Sequence, residues 1–199
     1  MKLETIDHNI KYYPLHLIKD NLDNIEVYPL KEGYSFVFYQ DGDKDKWIDI
    51  GRNDGEFDNY EEGLNAWNTY YQGHESELYN RLIFIKKDNE YIGTATAYYD
   101  VKGNDDPSIA RLHWVGIKRK YQGQGLSKPL ISFTLNQLKK LGYTKTKIAT
   151  QPNSWLACKI YLDFGFLPTE ENKEGWQIVK TITNHPSLKE YETVENIFK

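Results

Sequence analysis

Ile117-Lys118-Arg119-Lys120-Tyr121-Gln122-Gly123-Gln124-Gly125-Leu126-Ser127-Lys128 sets two glycines between a run that reads as a strand and a run that reads as a helix, inside a knot of positive charge. Upstream, Ala110 to Ile117 holds Leu112, Trp114, Val115 and Ile117 with few breaks, the pattern of a largely buried strand. Downstream, Leu126, Leu130, Ile131, Leu135, Leu138 and Leu141 recur at helical spacing. Pro129 falls in the first turn, where its missing N–H costs little, and Gly142 sits where a left-handed C-cap belongs. The loop therefore opens onto a helix N-terminus, where backbone N–H groups and the helix dipole favour an anion and glycine admits a pyrophosphate close to the backbone. The spacing is not that of the two commonest phosphate loops: no Lys-Ser or Lys-Thr closes a Walker-type run, and the third glycine of a dinucleotide fingerprint is absent. A plain glycine-rich turn between strand and helix is the other reading of the same residues.

Gln122-x-x-Gly125-x-Ser127 resembles the Gln/Arg-x-x-Gly-x-Gly/Ala signature of the GNAT superfamily of acyl-CoA-dependent N-acyltransferases, with serine in place of the small final residue. Ser154-Trp155-Leu156-Ala157-Cys158-Lys159-Ile160-Tyr161-Leu162-Asp163-Phe164-Gly165-Phe166 resembles the second block of that superfamily, although Asn153 stands one residue before the usual asparagine. The residues support a helix without the family. Ser154 or Asn153 can cap it, Leu156, Ile160 and Phe164 form an apolar line, and Gly165 supplies a left-handed end. Tyr161 lies one residue off that line and is expected to look sideways out of the core. The strand Lys147-Ile148-Ala149-Thr150 falls between the two blocks, as the resemblance requires.

Around these blocks the chain reads as mixed α/β. Tyr34 to Tyr39 is an expected strand, Leu82 to Lys86 and Tyr91 to Tyr99 flank a hairpin turn at Lys87 to Glu90, and Tyr60 to Tyr71 is an expected amphipathic helix. Trp176 to Thr181 is read as a late strand. This order resembles the GNAT fold: a mixed, mostly antiparallel central sheet flanked by helices, with splayed strands at the acyl-CoA site. The domain is expected over 34–199, with 1–33 as an appendage packing on it.

The chain has 199 residues, 39% of them hydrophobic, enough for one good core. No run approaches the roughly 20 apolar residues of a membrane span, and Met1-Lys2-Leu3-Glu4-Thr5 lacks the apolar stretch of a secretory signal, so a soluble, cytoplasmic protein with no membrane partner is expected. The single cysteine, Cys158, excludes an internal disulfide framework; it reads as a small buried hydrophobe before it reads as a nucleophile. A net charge of −4 argues against a general nucleic-acid binder. Lys118, Arg119, Lys120 and Lys128 are the local exception. They suit a compact polyanion such as coenzyme A, or else form a solvated turn.

Asp41, Asp43, Asp45, Asp49, Asp54, Glu56 and Asp58 make an acidic stretch before Tyr60. A calcium loop starting at Asp41 fails, because Lys46 stands where glycine is needed and Arg52 where a bidentate glutamate is needed. The stretch is either a solvated loop or, by the family resemblance, a border of the acceptor site that attracts a cationic amine. His8, His16, His74 and His185 lack metal-ligand spacing, and no metal is expected.

Acyl transfer to an amine requires loss of an ammonium proton, a donor to the developing oxyanion and a proton for the leaving thiolate. The resemblance implies acetyl-CoA as co-substrate, its pantetheine arm adding along Val115 and Ile117 and its pyrophosphate resting on Gln122, Gly123, Gln124, Gly125, Leu126, Ser127 and Lys128. It extends the cofactor site to Ser154, Ala157 and Lys159 of the second block. Tyr161 matches the family tyrosine that protonates the thiolate; a core tyrosine is the alternative. His113, on the strand and alternating with Val115 and Ile117, is the candidate base, since no Glu or Asp lies between Ala110 and Ile117. A histidine satisfied by a backbone neighbour is the alternative. The expected acceptor is a small-molecule amine. A protein-lysine or N-terminal acetyltransferase, a non-catalytic acyl-CoA sensor, and a nucleotide-binding protein using the same loop are the competing readings. An aromatic content of 15% is compatible with a homodimer.

Overall fold

A computed structural model describes residues 6–99, 106–169 and 172–199. The first five residues, whose sequence carries the expectation of no secretory leader, lie outside them. In chain order the elements are β1 (Leu15–Lys19), β2 (Tyr34–Phe38), α1 (Lys44–Asp54), α2 (Tyr60–Tyr70), α3 (Glu75–Leu78), β3 (Leu82–Lys87), β4 (Glu90–Tyr98), β5 (Ile109–Ile117), α4 (Ser127–Lys140), β6 (Lys145–Thr150), α5 (Trp155–Asp163), β7 (Leu167–Pro168) and α6 (Lys173–Thr183). They fall into two compact units, residues 22–144 and residues 1–21 with 145–199.

In the larger unit β2, β3, β4 and β5 form an antiparallel meander. The expected hairpin is present, with Asp88 in the left-handed region at φ 51°, which aspartate tolerates in a two-residue turn. Most of β3 and β4 is buried, so both strands read as nearly continuous apolar runs rather than as an alternation. Leu82 and Phe84 join a cluster with Trp47, Ile48 and Ile50 of α1 and Trp67 of α2. Paired residues share a face, so Phe36, opposite Ile85, looks the other way and stacks on Phe133 of α4 at 4.2 Å between ring centroids. Thus α1 and α2 cover one face and α4 the other. The expected helices form where their caps lie: Asn59 accepts from the Glu62 N–H at the start of α2, and Gly142 at φ 93° ends α4.

In the smaller unit β1 is hydrogen-bonded antiparallel to β6 on one side and β7 on the other, with Leu15 opposite Thr150 and Leu17 opposite Pro168. The segment 1–33, read from sequence as an appendage, thus supplies a strand with a neighbour on each edge. Trp176 to Thr181 is helical, not the expected strand. Trp176 and Ile178 fit a period of two, but the buried set Gly175, Trp176, Ile178 and Val179 follows the helical period. The signals that decide lie outside the apolar run: Asn172 and Asn184 are both left-handed, Glu174 lies in the first turn and Lys180 in the last. Gly175 permits α6 to approach β1, since a Cβ there would stand 2.7 Å from a methyl of Leu15.

Among the described residues no helix is long and apolar enough to cross a membrane, and no group of three or more His, Cys, Asp or Glu could hold a metal ion.

Candidate active site

β5 pairs with β4 at Tyr98–Arg111 and Thr96–His113, and again at Thr94–Gly116 and Gly93–Ile117. Between Thr96 and Thr94 the strand β5 spends one residue more than β4, which is a β-bulge at Trp114–Val115. Trp114 has φ 49°, a backbone conformation that bulky residues avoid. Period-two alternation would group His113 with Val115 and Ile117; the bulge breaks it. His113 and Gly116 share the face of Thr96 and Thr94, which is the α1 and α2 face because Thr96 Oγ1 is hydrogen-bonded to Tyr71 OH at 2.7 Å. The Trp114 ring turns to the same side and meets Trp47 at 5.3 Å. The His113 ring lies 4.8 Å from both Tyr70 and Tyr98 and 5.2 Å from Trp114.

Beyond β5 the chain makes a single 3₁₀ turn, Arg119–Tyr121, and enters the glycine loop. Gly123 and Gly125 are both left-handed, at φ 74° and 79°, and a Cβ on either would meet nothing within 4 Å. They are therefore glycine for backbone reasons, and open space surrounds their α-carbons. Side chains brace the loop from behind: Gln122 Nε2 donates to Ile117 O at 2.8 Å, Tyr34 OH donates to Gln124 Oε1 at 2.8 Å, and Gln124 Nε2 donates to Lys120 O at 3.2 Å. No side chain caps the start of α4. Paired left-handed residues before an uncapped helix N-terminus turn consecutive amides to one side, the arrangement that holds an anion. Gln122 to Lys128 thus fit a pyrophosphate.

The charge knot is less positive than its sequence reads. Lys118 Nζ pairs with Asp49 at 2.6 Å and Glu90 at 3.3 Å, and Lys120 Nζ with Glu90 at 2.8 Å. Tyr121 OH also donates to Glu90 at 2.8 Å. The Lys120 hydrogen bond, reinforced by those of Tyr121 and Lys118, holds the Glu90 carboxyl down at about 2. Glu90, at the hairpin turn, anchors the base of the loop, a role that no local signal announces.

The acidic stretch also resolves into separate roles. Tyr79 OH donates to Asp41 at 2.6 Å, Gln40 N and Lys46 Nζ donate to Asp43, Tyr60 OH donates to Asp45 at 2.8 Å, and Asp49 pairs with Lys118. Asp54, the last residue of α1, lies instead on β5, its Oδ2 placed where a methyl group on Gly116 would collide. Burial pushes its carboxyl up to about 8; the Glu56 N–H opposes the shift, the Glu56 charge adds to it, and Arg119 opposes it.

The second block belongs to the smaller unit. Ser154 ends a 3₁₀ turn, Pro152–Ser154, and does not cap α5; its Oγ accepts from Gln151 Nε2 at 3.0 Å. The buried residues of α5 are Cys158, Tyr161 and Leu162, while Leu156, Ile160 and Phe164 are only half-buried, so the expected core line is displaced. Tyr161 is buried, with its ring 6.0 Å from Phe166. Lys159 Nζ pairs with Asp163 at 3.0 Å, and Ala157 is half-buried. Burial pushes the Cys158 thiol up to about 12, which removes it as a nucleophile at neutral pH.

The chain matches the acetyltransferase (GNAT) family over residues 24–166. It belongs to that family. It is similar to the GCN5-related glucosamine N-acetyltransferase region of a fungal multi-domain β-N-acetylglucosaminidase, at 14% identity and TM-score 0.60 over 80% of this chain and 20% of that one. It is similar to a GCN5-related N-acetyltransferase from Sphaerobacter thermophilus, at 15% identity and TM-score 0.55 over 79% of this chain and 50% of that one. It is also similar to the aminoglycoside N-acetyltransferase AAC(6')-Iy in complex with CoA, at 16% identity and TM-score 0.54 over 73% of this chain and 95% of that one. The chain thus spans a fifth of the first of these proteins and half of the second. No curated protein matches it in sequence.

Proposed function

We propose that this acyltransferase moves an acetyl group from acetyl-CoA to a primary amine of a small molecule, by direct attack while both are bound. The observation that carries the reading is the pair of left-handed glycines, Gly123 and Gly125, before the uncapped N-terminus of α4 and one 3₁₀ turn beyond a bulged strand. Acetyl-CoA, when bound, would supply an acetyl group already activated as a thioester. The amides from Gln122 to Ser127 bind its pyrophosphate, Lys128 adds charge at the helix start, and the main chain of Val115 and Ile117 aligns its arm. The face of β5 that carries His113 and Trp114 we assign to the acceptor. From the family resemblance we propose Tyr161 as the group that holds a proton for the departing thiolate, and Ser154, Ala157 and Lys159 of the same block as cofactor-binding residues. A small amine is favoured because two of the similar structures are described as acting on glucosamine and on aminoglycosides.

The test is thermal unfolding with acetyl-CoA, ATP or NAD. Ligand at 100 times its Kd adds about 2.7 kcal/mol, or about 5–10 °C for a chain of this size. A shift of that size with acetyl-CoA alone, followed by thiol release on adding glucosamine, supports the reading; a larger shift with ATP or NAD overturns it.

A further inference from the structure

Four aspartates of the acidic stretch, Asp41, Asp43, Asp45 and Asp49, have hydrogen-bond or ion-pair partners on other side chains or the backbone. Asp54 is placed differently. Its Oδ1 accepts the nearby Glu56 N–H, at 2.9 Å, and its Oδ2 rests on the α-carbon of Gly116. Ile50, one turn earlier on α1, would stand 3.7 Å from a Cβ on the same glycine, so α1 lies flat on β5 and delivers the carboxyl there. Position 116 is glycine because any side chain would displace that carboxyl. Gly116 closes the bulge whose other members are His113, Trp114 and Val115, and the glycine loop begins a few residues beyond. The carboxyl thus stands over the one part of β5 whose backbone departs from a regular strand.

We propose that Asp54 is the group that takes the proton from the ammonium form of the acceptor amine. This rests on the acyltransferase reading above, and it assigns to Asp54 the role that sequence alone offered to His113. The carboxylate removes one proton from R–NH₃⁺ and becomes the neutral acid. The freed lone pair forms the nitrogen–carbon bond to the thioester carbonyl, the carbon–sulfur bond breaks with its electron pair going to sulfur, and a second nitrogen proton ends on the thiol. One proton remains on nitrogen in the amide, so all three are accounted for.

The charged groups facing Asp54 are few. Glu56 follows it beyond the helix end, its carboxyl raised first by burial and then by Glu62 of α2. Arg119 reaches over from the 3₁₀ turn, its guanidinium 2.5 Å from where a Cβ on Gly55 would stand. Lys118 is engaged by Asp49 and Glu90. The raised proton affinity of Asp54 brings it near that of an amine, which is what a base at neutral pH requires.

The test compares wild type with Asp54→Asn and Gly116→Ala. Urea unfolding midpoints are followed from pH 4 to 9, acetyl-CoA binding is read by thermal shift, and thiol release is measured with glucosamine and spermidine as probe amines. A raised carboxyl stabilises the fold below its unfolded value and loses that stabilisation as pH rises through about 8, so wild type should weaken relative to Asp54→Asn across that window. Acetyl-CoA should shift all three proteins alike. Wild-type kcat/KM should rise with pH towards about 8, whereas Asp54→Asn should lose that limb and fall about a hundredfold or more. Gly116→Ala, which displaces the carboxyl without removing it, should lose the limb as well. Equal acetyl-CoA shifts with the rising limb intact in Asp54→Asn would overturn the assignment and leave the acyltransferase reading standing. No acetyl-CoA shift in wild type, or no thiol release with either amine, would overturn both.

Discussion

Replacing Gly125 by alanine separates the two reasons a glycine can be needed. The residue sits at φ 79° with nothing within 4 Å of a Cβ, so the substitution adds backbone strain but no clash. A left-handed alanine costs about 1–2 kcal/mol, and alanine regains about 0.4–1 kcal/mol by restricting the unfolded chain. The net loss is about 1 kcal/mol, or about 2–4 °C in Tm for a chain of this length. Gly142, at φ 93° and also with nothing within 4 Å, provides the control at the far end of α4. Gly142→Ala should lower Tm by a similar amount for the same reason. The two variants should part company only when ligand is added. Gly142→Ala should keep the full acetyl-CoA shift of about 5–10 °C, whereas Gly125→Ala fills the space that a pyrophosphate would occupy against the loop amides and should lose most of it. The assay is differential scanning fluorimetry with and without acetyl-CoA at fixed protein concentration. Equal shifts in the two variants would refute the claim that this loop holds the ligand, because strain alone acts identically at both sites.

Two further expectations concern stability. Glu90→Gln removes the shared carboxylate of Lys120, Tyr121 and Lys118, of which Lys118 keeps Asp49; because the Glu90 carboxyl is held at about 2 against an ordinary 4.5, the stabilisation it gives is present above that ordinary value and fades as pH falls towards 2. The urea midpoint of Glu90→Gln should therefore lie below that of wild type at pH 7 and approach it as pH falls to about 2; the gap should be modest, since the Glu90 side chain is 35% exposed. Tyr71→Phe removes the buried partner of Thr96 Oγ1 while leaving the ring packed, and should cost about 1–3 kcal/mol in urea unfolding. A loss below measurement error would mean that Thr96 finds another hydrogen-bond partner.

Much of the fold was legible because the deciding signals are local. Gly142 and Asn59 mark helix ends through their own backbone and side chain, and Asp88 marks the hairpin, so α4, α2 and the β3–β4 turn form close to where their residues place them. Likewise Gly123 and Gly125 announce left-handed backbone wherever the rest of the chain goes. Trp176 to Thr181 was misread for the complementary reason. Six residues cannot separate a period of two from one of 3.6, and the arbiters Asn172 and Asn184 lie outside the window. The burial of Tyr161 in place of the Leu156, Ile160 and Phe164 line has the same origin, since a short helix with apolar residues on several sides does not declare which side meets the core.

The site was less legible than the fold because its chemistry depends on contacts between distant residues. Lys118 and Lys120 read as free positive charge until Asp49 and Glu90 are brought to them from other elements. Nothing in the composition of the acidic stretch distinguishes Asp54 from Asp41 or Asp45; the distinction comes from donors on Tyr79 and Tyr60 for the others and from a glycine on β5 for Asp54. The bulge has the same character. Its one sequence mark is Gly116, and glycine in a strand signals a bulge or a close approach without saying which. Here it serves both: the register slips beside it, and the Asp54 carboxyl occupies the space its missing side chain leaves. A single methyl group added at position 116 should therefore disturb a carboxyl 62 residues away in the chain while leaving the glycine loop and its ligand untouched, a coupling that neither residue's local sequence contains.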